Sequence, residues 1–98
     1  MTQPMTQAEV RRQVEAALAA LLSLDGVEQV DRDLSQWRDW LQLECNMDLR
    51  IRVELDRCYR LLEMDVVQWR TARSPAMQQQ RCQQMRLHLG QMLHLLSL

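Results

Sequence analysis

Two sets of side chains in this chain have the types and spacing to do chemistry. The first is Arg50, Arg52 and Glu54, which alternate with Leu49, Ile51, Val53 and Leu55 in an unbroken run. On an extended backbone alternate residues share a face, so these three would project together. Arginine can chelate the edge of guanine and glutamate can accept from cytosine, which is the chemistry of major-groove base reading. The second set is Met85, His88 and Met92, on one helix face at i, i+3 and i+7, with Cys82 near. Thioether sulfur and imidazole suit copper(I) or haem iron. That set lacks the closed ligand group of a convincing metal site, and a Met-rich core stripe with a flanking histidine accounts for it. No metal and no cofactor is expected. Machinery for catalysis is thin as well. There is no Gly-rich phosphate loop, and no Ser or Cys stands in a nucleophile motif with histidine partners. Glu63 and Asp65 face different sides of a helix. The chain is expected not to be an enzyme.

The backbone under residues 49–55 decides what that run can do. Ile51 and Val53 are β-branched, and the alternation fits a strand. In that form residues 49–97 resemble the ribbon-helix-helix repressors in element order: strand, helix, helix. The resemblance implies a dimeric DNA-binding transcriptional regulator whose paired strands enter the major groove, with Arg50, Arg52 and Glu54 as readers. The chain departs from that family in three ways. It lacks a Gly-containing turn between the helices, its first helix would be longer, and the strand sits mid-chain. A helical reading is favoured. Ile51 and Leu55 continue an apolar stripe on both sides of the run. Asp48/Arg52 and Asp56/Arg60 become favourable i,i+4 pairs. A strand also needs a partner, and no second candidate strand exists in the chain.

The elements that must position these residues read as helices. Thr6-Gln7-Ala8-Glu9 is a capping box, and Val10, Val14, Ala17, Leu18, Leu21 and Leu22 follow at helical spacing. This predicts a first helix over 6–24, stopped by Asp25-Gly26 with Gly26 in a left-handed C′ conformation. Val27 to Asp31 reads as a short connection, and a second helix as 33–45. From Asp33 to Arg73 there is no Gly or Pro. One stripe runs Leu34, Trp37, Leu41, Cys45. Another runs Trp40, Leu43, Met47, Ile51, Leu55, Cys58, Leu62, Val66, Trp69. A single helix of that length would be about 60 Å long, so either it breaks near Cys45-Asn46-Met47-Asp48 or it supports an elongated dimer; a break or kink is predicted there, where Asn46 and Asp48 can cap. The third, long helix is then 48–73. Ser74-Pro75 begins a fourth over 75–97, with Cys82, Met85, Leu89, Met92, Leu93 and Leu96 on its apolar face. Residues 1–5 are expected to be flexible.

Composition bounds the rest. Ninety-eight residues make one domain, large enough to bury a real core. Two Gly and two Pro are too few for the turns of an all-β domain. All twelve basic residues are Arg, for which a GC-rich codon usage is favoured over a need for anionic partners. The net charge of −1 hides an asymmetry: residues 1–49 hold nine acids and four Arg, residues 50–98 four acids and eight Arg. Such polarity can drive packing of one half on the other, within a chain or between two chains. Three cysteines without CxxC spacing point to free thiols in a reducing compartment. The polar first residues and the absence of a long apolar run point to a soluble, cytoplasmic protein with no membrane contact.

The expectation is an all-α, small antiparallel helical bundle of three to four helices, oligomeric, in one domain over 1–98. Its function is read as that of a non-enzymatic protein-interaction module: an assembly factor, adaptor or small regulator. Three Trp are hard to bury in a small bundle, and Trp is enriched at interface hot spots. The expected partner-binding residues are therefore Trp37, Trp40 and Trp69 with Met85, Leu89 and Met92 of the last helix. The partner is a second copy of the chain or another protein.

Overall fold

Each helix begins or ends where a local signal dictates. The computed structural model describes residues 5–22 and 26–98. Helix α1 spans Gln7–Ala20, and the Thr6 hydroxyl caps it by accepting from the Glu9 amide at 3.2 Å. Helix α2 spans Gly26–Leu43. Helix α3 spans Leu49–Thr71, capped by the Asp48 carboxylate, which accepts from the Arg50 amide at 2.9 Å. Helix α4 spans Pro75–Leu96, with Ser74 accepting from the Met77 amide and Pro75 in the first turn. A first-turn proline gives up an N–H that has no partner in a helix anyway.

The four helices form an antiparallel ring. Gln13 on α1 meets Trp37 on α2, and Asp31 near the start of α2 meets Arg70 near the end of α3. Cys58 and Asp65 on α3 meet Gln91 and His88 on α4 in reversed order. Gln7 at the start of α1 donates to the Leu96 carbonyl at the end of α4, 2.8 Å away. Each helix therefore has two neighbours, and α2 and α4 lie diagonally across the bundle. The radius of gyration of 13.3 Å is that of a folded unit of about 100 residues. The core takes Val10, Val14 and Ala17 from α1, and Val27, Val30, Leu34, Trp37, Trp40 and Leu41 from α2. It takes Leu55, Cys58, Tyr59, Leu62 and Val66 from α3, and Met85, Leu89, Met92 and Leu96 from α4. Burying one such large apolar side chain stabilises by about 1.5–3 kcal/mol.

The all-α bundle and the break before α3 follow the sequence. Residues 44–48 leave the helix, and Asp48 starts the next one. Several boundaries do not follow it. Residues 49–55 are helical throughout, and no strand occurs among the described residues. The ribbon required by the repressor reading is therefore not formed. The proposed connection from Val27 to Asp31 is the first part of α2. Val27, Val30, Leu34, Trp37 and Leu41 form one stripe of steps three and four, all buried.

Gly26 is not a left-handed cap. It is the first residue of α2 and has no positive φ. A Cβ there would overlap the Ala20 carbonyl and come within 2.6 Å of the Leu21 nitrogen. Glycine thus lets the start of α2 lie against the end of α1. Helix α1 ends at Ala20, and Leu24 and Asp25, the rest of its expected last turn and stop, lie outside the described residues. The flexible stretch expected over 1–5 also lies outside them, except for Met5, which packs against the core. Cys45 sits in the connection before α3, and Leu43 is exposed rather than part of the core stripe.

Candidate functional site

The only buried charged side chain among the described residues is Asp65, 4% exposed. It follows Leu62 by three and Cys58 by seven, so it lies on the apolar face of α3. His88 follows Met85 by three and occupies the same flank of α4. The two meet at 2.6 Å, His88 Nδ1 to Asp65 Oδ2. The partner satisfies a carboxylate that would otherwise be buried unpaired. The pair ties α3 to α4 in one register. A similar polar anchor ties α1 to α2: the buried indole N–H of Trp37 donates to Gln13 Oε1 at 2.9 Å, and the Gln13 amide donates on to Gln36. Spacing within one helix could not reveal the Asp65–His88 pair. Its one signal is that each helix carries a polar residue in register with an apolar stripe.

Met85 and Met92 are core residues, His88 is engaged by Asp65, and Cys82 is half-buried. Among the described residues no group of three or more His, Cys, Asp or Glu is placed to hold a metal. Burial pushes the thiols of Cys58 and Cys82 above their ordinary range; for Cys82 a hydrogen bond from Trp69 works in the opposite direction. Burial, with a hydrogen bond to Glu63, raises the phenol of Tyr59.

Of the expected partner-binding residues, Trp37, Trp40, Met85, Leu89 and Met92 have their apolar surface covered within the single chain. Trp69 is half-buried, beside Cys82 and Pro75 at one end of the bundle. The readers of the strand hypothesis are on the first turns of α3. Arg50 and Glu54 are exposed, Arg52 is half-buried, and Glu54 pairs with Arg57 at 3.5 Å. They do not share one face, because a helix turns successive pairs apart where a strand would align them.

Open large apolar side chains among the described residues include Leu22, Leu43, Met77, Leu87 and Leu98 at scattered places, and four more share one helix. Leu49, Val53, Met64 and Val67 on α3 are 70%, 58%, 57% and 58% exposed. They recur on the side of α3 turned away from its buried residues, about 27 Å from first to last at 1.5 Å per residue. Arg57 and Arg60 interrupt the stripe, each paired on its own helix, with Glu54 at 3.5 Å and Asp56 at 3.0 Å. No helix among the described residues is long and apolar enough to cross a membrane. Comparison of the chain with protein-family models, curated proteins and solved structures finds no match.

Proposed function

We propose that this chain is a non-enzymatic protein-interaction module that acts as an adaptor, assembly factor or small regulator. The observation that supports the reading is the outward face of α3. All four helices bury an apolar stripe, yet four large apolar side chains remain open on one face of α3. Scattered exposed apolar residues are ordinary on a protein surface. Apolar residues gathered on one face of a rigid helix are what protein partners use. The bundle supplies a stiff frame, fixed by the Asp65–His88 and Trp37–Gln13 anchors, and α3 presents the row. In this reading Trp37, Trp40, Met85, Leu89 and Met92 hold the frame, and Trp69 is the one aromatic residue of the expected set that a partner can reach.

Site-specific photocrosslinking in the native host tests this. A benzophenone side chain placed at Val53 or Val67 should give a discrete protein adduct, while the same group at Leu22, just past the end of α1, should not. Adducts absent from both α3 positions, or equally frequent at Leu22, would remove the reading.

A further inference from the structure

Three features that the bundle leaves unused meet at one end of the molecule: the half-buried Trp69, the thiol of Cys82, and the amide-rich start of α4 at Gln78, Gln79 and Gln83. Pro75, Gln79, Cys82 and Arg86 recur at steps of four, three and four, so they form one stripe along the first half of α4. That stripe is the floor of a groove of about 440 Å³, walled by Trp69 from the last turn of α3 and by Leu21 and Leu22 from the end of α1. A hydrogen bond from Trp69 to Cys82 holds the indole against α4. Trp69 stands two residues past Val67, a rotation of about 200° round α3, so the groove and the open row are separate surfaces. The groove has a single charged lining group. Arg86 is exposed and makes no ion pair or hydrogen bond among the described residues, and α4 carries no acid to neutralise it. Cys82 adds a neutral thiol, because burial opposes its ionisation.

We propose that this groove binds a small aromatic carboxylate. Its volume is in the range of small-molecule sites, which pair apolar walls with a few convergent polar groups. The indole of Trp69, with Leu21, Leu22 and Pro75, offers a surface against which an aromatic ring packs. A rigid ring also loses less rotamer freedom on binding than a flexible chain of the same size. The guanidinium of Arg86 can take a carboxylate through two parallel hydrogen bonds. One unpaired cation calls for one negative charge, and it opposes a cationic ligand. The side-chain amides of Gln78, Gln79 and Gln83 can each donate and accept, so they can meet polar substituents on the ring. The site goes beyond the interaction reading of α3 and does not depend on it.

Titration of the full chain with naphthalene carboxylate tests this, read from the indole N–H resonances of Trp37, Trp40 and Trp69 in heteronuclear NMR spectra. Trp69→Phe identifies the Trp69 signal by removing it. In the native chain that signal should shift along one saturating curve, while those of Trp37 and Trp40, buried in the core, should hold still. Arg86→Gln changes an exposed position, and far-UV circular dichroism checks that the helices are kept. This variant should bind the acid about tenfold more weakly or worse. The uncharged naphthalene carboxamide should bind the native chain as weakly as the acid binds the variant. A Trp69 signal that does not move at millimolar acid would overturn the site. Acid and amide binding the native chain alike, or an affinity for the acid that Arg86→Gln leaves unchanged, would overturn the carboxylate as its ligand.

Discussion

His88 matters because Asp65 has nowhere else to go. The carboxylate is buried between α3 and α4 and the imidazole is its partner at 2.6 Å. Removing one member of a buried pair costs about 3 kcal/mol or more, whereas replacing both by apolar groups is often neutral or stabilising. His88→Ala should therefore lower the melting temperature by about 12 °C or more. The double variant Asp65→Leu/His88→Leu should recover most of that loss, and thermal melts of the three proteins check it. Tyr59 offers a second test, since it is the sole tyrosine in the chain. Burial first, and then the bond to Glu63, raises its phenol above the ordinary range. An acid whose folded pKa is raised favours folding while it is protonated. Its contribution is complete below the unfolded midpoint and is lost as the pH rises toward the folded one. The tyrosinate absorbance of the native chain should therefore titrate at higher pH than that of the chain in denaturant, and Glu63→Gln should narrow the gap.

Helix ends and the two glycines carry the element scale. Asp48 and Ser74 each satisfy a free amide of the helix they open. Changing either to Ala should cost about 1 kcal/mol, a fall of about 4–8 °C in melting temperature. The glycines behave oppositely. A Cβ at Gly90 meets nothing within 4 Å, so Gly90→Ala should stabilise α4 by about 0.5–1 kcal/mol. Gly26→Ala should destabilise, because its Cβ would overlap the backbone at the end of α1. These elements also mark how far the sequence could be read. Caps at Thr6, Asp48 and Ser74, and the break before α3, stand out because each is a local signal with a local cause. The start of α2 does not, since Asp25-Gly26 has the composition of a helix stop, and only the stripe from Val27 and Val30 into Leu34 argues otherwise. The 49–55 run shows the limit of alternation. Seven residues fit two periods, and the longer stripe through Leu55, Cys58 and Leu62 prevails. The Asp65–His88 contact joins residues 23 apart on two helices, which no single-helix period encodes. Trp37 and Trp40 have the chemistry of interface anchors, but the ring of four helices has room to bury both.

At the scale of the whole molecule, the charge asymmetry between the two halves of the chain becomes a geometric one. Acidic α2 and basic α4 lie diagonally opposed, with α3 and its open apolar row between them on one side. The most direct measurement is photocrosslinking from Val53 in the native host, with and without Met64→Glu/Val67→Glu in the same chain. The chain with its native row should give a discrete protein adduct, and the variant should lose it with unchanged helix content. No adduct from the native row, or an adduct that the two glutamates leave intact, would contradict the assignment of this face of α3 as the interface.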